Sequence, residues 1–561
     1  MDDQLRTQVE SWLQGDPDPV DRAELQRALD ASDEELLKQR FSGRLSFGTA
    51  GLRGPIGAGP CAMNTAVIRQ TCHGLADVLI AAQRDLSRGV VIGYDARYRS
   101  DQFAQESAAV LRARGVAVYL WDQPGPTPAT SFWVRQLGAL AGIQVTASHN
   151  PPQDNGFKVY WDHAAQIIPP VDSEIAEAID RHAVGKAADL AVLDARAAGP
   201  ALSFLGSVEL AKYWKAVGEQ TPRVSSPKTP LRIVYTAMHG VGGESVVTVL
   251  EEAGFEVHPV AEQHAPDASF PTVAFPNPEE DGAMDLALAL AESVDADLVL
   301  ANDPDADRLA VALPSDPGFE LLNGNEIGLL LGDHCLQAYE GSPAIFAASI
   351  VSSQALRAWV EAQGHTYASA LTGFKWIMAE RRRRPNQNFI FGYEEALGYC
   401  IGETVADKDG VSAALAFAHG ARWLKERGKD LRTRLDEIYQ QIGFFVSDQW
   451  VQRFSGAHAA ADMERAVDQA RRHAPQEING LTLVERYDFN EGAPWEPSLS
   501  ANLIALTYGT DAQGLRVLIR PSGTEPKVKT YFEYRSAHSV EHAQGALKSS
   551  INLWREALEK T

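Results

Sequence analysis

The chain has 561 residues, 45% of them hydrophobic and 22% charged, an ordinary globular composition long enough for roughly three to four domains. Its 51 basic and 74 acidic residues leave a net charge of −23. That excludes a general nucleic-acid binder, whose surface must be basic to displace counterions, and it means an anionic substrate has to be held by local Arg, Lys and backbone N–H groups.

The first forty residues read as helical, with AELQRALD and EELLKQRF as periodic pieces and DPDP as a break. FGTAGLRGPIGAGP follows, rich in glycine. From about residue 65 the pattern alternates: IRQTCHGLADVLIAAQ as helix, GVVIGYD as strand, DQFAQESAAVLRARG as helix, VAVYLWD as strand. Such alternation predicts a parallel, layered α/β domain. The rhythm restarts near 206, where PLRIVYTAMHGVGG, ESVVTVLEEAG, FEVHPV and ADLVLAND follow one another, and again near 322, with AIFAASI and QALRAWVEAQG. From about 446 it changes. ANLIALTYG, LRVLIRPSG and VKTYFEYR are strand-like and flanked by helices at 460–473 and 538–558, which predicts a separate α+β domain. The basic stretch ARWLKERGKDLRTRL before it reads as a solvated helix face. Cys61, Cys72, Cys335 and Cys400 form no CxxC pair, as expected of free thiols. No apolar stretch reaches bilayer length, and the acidic start MDDQLRTQVESWLQ is unlike a signal peptide. A cytosolic protein with no membrane or nucleic-acid partner is expected.

Five stretches carry chemistry. In FGTAGLRG, glycines at 48, 51 and 54 let backbone approach an anion and Arg53 adds charge. It lacks GxGxxG spacing after a strand, and no Walker A motif occurs anywhere, so neither a dinucleotide site nor a nucleotide-driven kinase is supported. In VTASHNPP, Ser148 and His149 invite a hydrolase reading, but GxSxG is absent. Adjacent side chains diverge on an extended segment, so His149 is not expected to reach back to the Ser148 hydroxyl. Pro151 and Pro152 stiffen the loop's exit; a plain turn or cap serine is the alternative.

In ADLVLANDPDADRLAV, a buried-type strand runs into Asp303, Asp305 and Asp307, then Arg308. Three alternating carboxylates suit one hard cation such as Mg²⁺. An EF-hand is excluded, because its glycine position is Arg308 and its bidentate-glutamate position is Pro314. An acidic surface turn is the bland alternative. In FGYEEALGY, Glu394 and Glu395 offer either acid/base groups or acceptors for sugar hydroxyls, and nearby TGFKWI offers Lys375. In RPSGTEPKVK, Arg520, the hydroxyls of Ser522 and Thr524 and the N–H groups around Gly523 form a concave donor set suited to phosphate.

Taken together and in order, FGTAGLRG, TASHNPP, DPDADR, TGFK, GYEEALGY and RPSGTEP resemble the signatures of the α-D-phosphohexomutases, the phosphoglucomutase and phosphomannomutase family, from about residue 41 to 545. WLQGDPDP and the EEALGY…DKDGVSAA stretch are similar to the branch holding phosphoglucomutases and phosphopentomutases. The resemblance implies an α/β fold in which three related α/β domains and a C-terminal α+β domain of the TBP-like kind surround a central cleft. The expected division is a helical extension at 1–40 and domains at 41–205, 206–320, 321–445 and 446–561.

By the same resemblance, Ser148 is the phosphoserine that gives and regains the phosphoryl group, and it completes the Mg²⁺ site of Asp303, Asp305 and Asp307. Arg53, His149 and Lys158 line the reacting phosphate, with Arg308 beside the metal loop. Thr372, Gly373, Lys375, Glu394 and Ala396 bind the sugar; Arg520, Ser522, Gly523, Thr524 and Lys527 hold the other phosphate. Lys158, His149 and Lys375 are each candidates for moving the hydroxyl proton. The implied activity interconverts glucose 1-phosphate and glucose 6-phosphate, with glucose 1,6-bisphosphate as primer and a monomer or homodimer as the working form. Many relatives carry Ser two residues after the first glutamate; here Ala396 stands there, which keeps phosphopentomutase and phosphomannomutase open as alternatives. A metal-dependent phosphatase and a non-enzymatic sugar-phosphate sensor are the rivals from other classes.

Overall fold

The computed structural model describes residues 2–48, 51–182, 200–224, 229–455, 459–522 and 527–559. The chain divides into two compact units. One runs to Leu322 and includes Phe374–Ala379 and Leu397–Trp423; the other holds Asn323–Gly373, Glu380–Ala396 and the chain from Leu424 onward.

The first unit opens with helices Asp3–Gly15, Pro19–Asp30 and Glu34–Phe41. Each starts at an aspartate, Asp2, Asp18 or Asp33, whose carboxylate accepts a backbone N–H of the first turn. Leu5, Val9, Trp12, Leu25, Leu29 and Leu37 bury one face of this trio against Ala58, Ala66 and Val67 of the following domain. Arg99 fastens it further, its guanidinium on Asp18 and Asp21.

A six-stranded sheet follows, in the order Leu52–Pro55, Asp154–Trp161, Ala141–Val145, Val90–Tyr94, Val118–Trp121, Leu202–Leu205. The last four strands are parallel, and VVIGY and AGIQV are apolar runs covered on both faces, as parallel strands require. The first two strands run antiparallel, so the sheet is mixed and not wholly parallel. The reason is local: the loop after Ala141–Val145 reverses the chain at once, and a direct return gives an antiparallel pair, whereas a parallel partner needs a crossover. A second, five-stranded sheet repeats the theme. Leu298–Ala301, Arg232–Thr236 and Glu256–Pro259 are parallel, and Ala310–Pro314 and Phe319–Leu321 return antiparallel. In both sheets the residues that follow a buried parallel strand, 146–150 and 302–308, carry the chemistry, as expected at strand carboxyl ends.

In the second unit, Ile345–Ser349 pairs in parallel with Thr366–Ala370 and Phe389–Glu394. Six antiparallel strands form the last sheet, from Phe444–Arg453 through Lys527–Ser536, Gly514–Pro521, Ile504–Gly509 and Leu481–Asp488 to Glu477–Ile478. Helices Ala459–His473 and Val540–Glu559 flank it, and Trp554, Tyr508 and Phe532 fill its core.

The basic stretch ARWLKERGKDLRTRL is solvated in its middle, where residues 425–430 are exposed, but not at its two ends. Arg422 is 1% exposed, lies 3.4 Å over the Phe255 ring and donates to the carbonyls of Ala253 and Gly254. Arg434 forks onto Asp333, both bonds 2.8 Å. Charge counting cannot see such partners, because they lie more than 100 residues away in sequence. All four cysteines are free. Among the described residues no helix is long and apolar enough to cross a membrane.

Candidate active site

The serine loop leaves the strand Ala141–Val145. Thr146 Oγ1 donates to Asp95 Oδ2 at 2.6 Å and accepts the Ser148 N–H at 2.8 Å. Ser148 has φ 55, in the left-handed region a non-glycine residue adopts only when its surroundings enforce it. That turn overturns one expectation. His149 does reach back, its Nδ1 3.1 Å from Ser148 Oγ. The divergence rule assumed extended backbone, and the left-handed residue brings the two side chains together.

The hydroxyl also lies 2.6 Å from Asp303 Oδ2, to which it donates. His149 Nδ1 and Ser148 Oγ share a hydrogen bond whose direction is set by the imidazole tautomer. Burial, then the charges of Arg308 and Arg53, push the His149 pKa well down, which favours the neutral ring.

Asp303, Asp305 and Asp307 are fully buried, one ligand atom of each lying within 4.8 Å of the others. Ala306, at φ 57, bends the loop between them. Asp305 Oδ2 accepts from Lys158 Nζ and Thr127 Oγ1, both at 2.6 Å; Asp307 Oδ2 accepts from Lys158 at 2.7 Å and lies 3.1 Å from Lys408 Nζ. The other oxygens, Asp305 Oδ1 and Asp307 Oδ1, are buried with no hydrogen-bond partner among the described residues. Unmatched carboxylate oxygens are costly in a protein interior, and these two are what a hard cation would take as ligands. The residues present fit a divalent metal.

The electrostatics divide the triad. Burial and the neighbouring Asp305 and Asp307 charges push Asp303 up to about 8, against Arg308 and the Ser148 hydrogen bond. Burial and the Asp307 charge would raise Asp305 as well, but Lys158 overcomes them and holds it low. Asp307 is held low against burial by Lys158 and then Lys408. Burial alone would lower Lys158, yet Asp305 and Asp307 keep its ammonium above the usual lysine value. Lys158 sits mid-strand in Asp154–Trp161, wholly buried.

Arg53, on the strand Leu52–Pro55, donates to Asn150 Oδ1 at 3.3 Å, and its buried Nε has no hydrogen-bond partner among the described residues. Arg308 donates its backbone N–H to Asp303 Oδ1 at 3.0 Å and lies 3.8 Å from Glu279. Lys375, at the start of the helix Phe374–Arg383, is 4.0 Å from Asp172; burial lowers its pKa, with Asp172 opposing.

Residue-by-residue reading missed several members of this site. DKDG holds Lys408 beside Asp307 through its two flanking carboxylates. Asp407 accepts from Tyr160 at 3.0 Å and Gln166 at 2.7 Å, and Asp409 from Tyr213 at 2.7 Å. A lysine between two aspartates and a glycine was the available signal. Thr127, whose N–H also caps the Asp305 carbonyl, carried none.

The remaining candidates lie in the second unit. Glu394 Oε1 accepts the Gly373 N–H at 2.7 Å, where φ is 112 and a side chain would be strained. Thr372 precedes that turn. Glu395, next to Glu394, accepts from the Ser349 hydroxyl at 3.1 Å and from that of Ser352 at 3.3 Å. Ala396 is half-buried. Arg520, at the end of Gly514–Pro521, hydrogen-bonds Tyr531, whose phenol burial and then Glu395 push up. The Ser522 N–H closes on the Lys527 carbonyl at 2.8 Å. Gly523 and Thr524 lie outside the described residues.

A serine hydroxyl hydrogen-bonded to a buried cluster of three aspartates that could hold a cation thus sits at the carboxyl ends of parallel strands. Comparison with known proteins identifies the family. Four profiles of phosphoglucomutase/phosphomannomutase match in order: alpha/beta/alpha domains I, II and III at residues 44–184, 211–316 and 323–442, and the C-terminal domain at 508–548. A probable phosphomannomutase of Haemophilus influenzae is 38% identical over 84% of this chain and 93% of its own. A phosphopentomutase of Mus musculus is 35% identical (95% and 90%), and a phosphoglucomutase of Staphylococcus epidermidis 34% (91% and 96%). The crystal structure of a putative phosphomannomutase from Thermus thermophilus superposes with TM-score 0.66 at 23% identity, covering 92% of this chain and 99% of that one. The chain belongs to the α-D-phosphohexomutase family, the phosphosugar mutases, with that family's four-domain α/β architecture.

Proposed function

We propose that this protein interconverts glucose 1-phosphate and glucose 6-phosphate through a phosphorylated Ser148. The observation that carries the reading is the Ser148 Oγ placed 2.6 Å from Asp303, one of three clustered aspartates of which the other two bind Lys158. In this scheme phosphorylated Ser148 transfers its phosphoryl group to the free hydroxyl of the sugar phosphate. The P–O bond to serine breaks, the sugar oxygen gains phosphorus and loses its proton, and the serine oxygen is left to be reprotonated. The sugar bisphosphate turns over and returns its other phosphoryl group to Ser148.

Mg²⁺ held by Asp303, Asp305, Asp307 and a phosphoserine oxygen would neutralise charge on the transferring group. Arg53 and Arg308 supply further positive charge, and His149 hydrogen-bonds at the serine oxygen. Lys158, His149 and Lys375 remain the candidates for the sugar hydroxyl's proton. Thr372, Gly373, Lys375, Glu394 and Ala396 take the sugar. Arg520, Ser522, Gly523, Thr524 and Lys527 take the non-reacting phosphate, and glucose 1,6-bisphosphate primes the serine. The reading includes the division at 41–205, 206–320, 321–445 and 446–561 and a cytosolic location.

The second reading is phosphopentomutase. Ala396 has no hydroxyl to offer a hexose, and the similar mouse protein is named for the pentose reaction. Assaying glucose 1-phosphate, mannose 1-phosphate and ribose 1-phosphate side by side, with Mg²⁺ and catalytic bisphosphate, separates them. The first reading expects the largest kcat/KM for glucose 1-phosphate; a larger value for ribose 1-phosphate replaces it with the second.

A further inference from the structure

We infer that Arg97 is a positioning residue for phosphoryl transfer at Ser148: it shapes the serine loop without touching substrate. The inference rests on the proposed role of Ser148.

The loop cannot hold itself. Between the strands Ala141–Val145 and Asp154–Trp161 it makes few backbone bonds of its own, Asn150 N–H to Ala147 at 3.2 Å and Asp154 N–H to Pro151 at 3.0 Å. Pro151 and Pro152 bring no N–H. Ser148 is held in left-handed backbone besides. Inward-facing carbonyls in such a loop need donors from elsewhere.

Arg97 supplies them. Its Nη2 donates to the carbonyls of Ser148 at 2.6 Å and Asn150 at 2.5 Å, and its Nη1 to those of Pro151 at 2.8 Å and Asp154 at 3.2 Å. One planar fork thus grips four carbonyls of the serine loop, a geometry an ammonium cannot copy. The fork is itself fixed. Asp95 Oδ1 accepts the Arg97 backbone N–H at 3.0 Å, Asp95 Oδ2 lies 3.4 Å from Nε, and the Phe270 ring stacks at 4.9 Å. The same Asp95 Oδ2 takes the hydroxyl of Thr146, which in turn holds the Ser148 N–H. Asp95 therefore steadies the serine from both sides.

The donor count fixes the role. All four Nη hydrogens are engaged on carbonyls, Nε faces Asp95, and the side chain is wholly buried. Like Arg53 Nε, Arg97 Nε has no hydrogen-bond partner among the described residues, but it is enclosed 3.4 Å from Asp95 Oδ2, so the hydrogen bonds of the guanidinium all go to the serine loop through Nη1 and Nη2. Arg97 acts on the reaction through where it puts Ser148 Oγ relative to Asp303. A displacement of that atom by a fraction of an ångström is enough to slow transfer strongly.

The test uses the full chain with Mg²⁺ and glucose 1,6-bisphosphate, following phosphoryl uptake on the Ser148 peptide by rapid quench and mass spectrometry. Arg97→Lys keeps the charge and loses most of the fork. Expected is uptake about 10- to 100-fold slower per folded molecule, with the sugar-phosphate KM changed less than about threefold. Asp95→Asn, which leaves the guanidinium in place but slackens its anchor, is expected to slow uptake less, and it serves if Arg97→Lys does not fold. Wild-type uptake is the control: if wild type takes no phosphoryl group on Ser148, the proposed function itself fails. If wild type is phosphorylated and the variants match its rate per folded molecule, losing only thermal stability, Arg97 is structural and the inference is overturned.

Discussion

Ser148 Oγ donates a 2.6 Å hydrogen bond to Asp303 Oδ2, joining the loop after one buried parallel strand to the loop after another, 155 residues away in sequence. The contact makes the serine part of the aspartate cluster, so cation affinity and serine chemistry should be inseparable. Chelating divalent metal is expected to lower turnover by at least about a hundredfold, with recovery on adding Mg²⁺. Asp305→Asn should raise the Mg²⁺ concentration for half-maximal rate by about 10- to 100-fold, as a titration of activity against Mg²⁺ would report. Full activity in chelator would remove the metal from the account.

Gly410 and Arg308 provide a packing test of the same loop. A Cβ on Gly410 would stand 2.3 Å from the Arg308 carbonyl and 2.8 Å from that of Ala306, both backbone atoms between or just after the metal-site aspartates. Gly410→Ala is expected to fold yet lose about tenfold or more in kcat and to need more Mg²⁺. Unchanged kcat and Mg²⁺ requirement would show that the loop tolerates displacement.

Arg422 tests stability away from the site. Its removal takes a donor from the Ala253 and Gly254 carbonyls, leaves a cavity where a wholly buried side chain stood and uncovers the Phe255 face. Arg422→Ala is expected to cost about 2–4 kcal/mol in urea denaturation. Arg422→Met, which keeps apolar volume, should lose less.

The N-terminal helices carry a pH signature. Burial pushes Asp21 up to about 6, against the hydrogen bond from Arg99. An unfolded aspartate titrates near 3.9, so the folded state binds the extra proton between about pH 4 and pH 6 and stability falls as pH rises through that window. Compared with Asp21→Asn at each pH, wild-type amide protection in the helix Pro19–Asp30 should decline from about pH 4 to about pH 6 and level off above. A difference that is flat or rises with pH would contradict this.

The sequence made the large features readable because they depend on neighbours in the chain. Runs such as VVIGY and LVLA announce buried strands, and the spacing of Asp303, Asp305 and Asp307 announces a cation site. What escaped depends on distant partners. Lys158 is a site candidate by family resemblance, but nothing in the sequence shows that it is a buried strand residue balanced by two aspartates some 150 positions on. His149 was judged from an extended backbone that Ser148 does not adopt. Arg422 reads as part of a solvated face, and Arg97 draws no reading at all, because the carbonyls that bind them leave no mark in the sequence.

The most direct measurement follows glucose 1-phosphate by phosphorus NMR with Mg²⁺ and catalytic glucose 1,6-bisphosphate, for wild type and Ser148→Ala, with mapping of phosphorylated peptides. The account predicts conversion to glucose 6-phosphate and a phosphoryl group on Ser148 in wild type, and turnover reduced by at least about a thousandfold in the variant. Conversion by Ser148→Ala near the wild-type rate, or release of inorganic phosphate in place of the isomer, would contradict it.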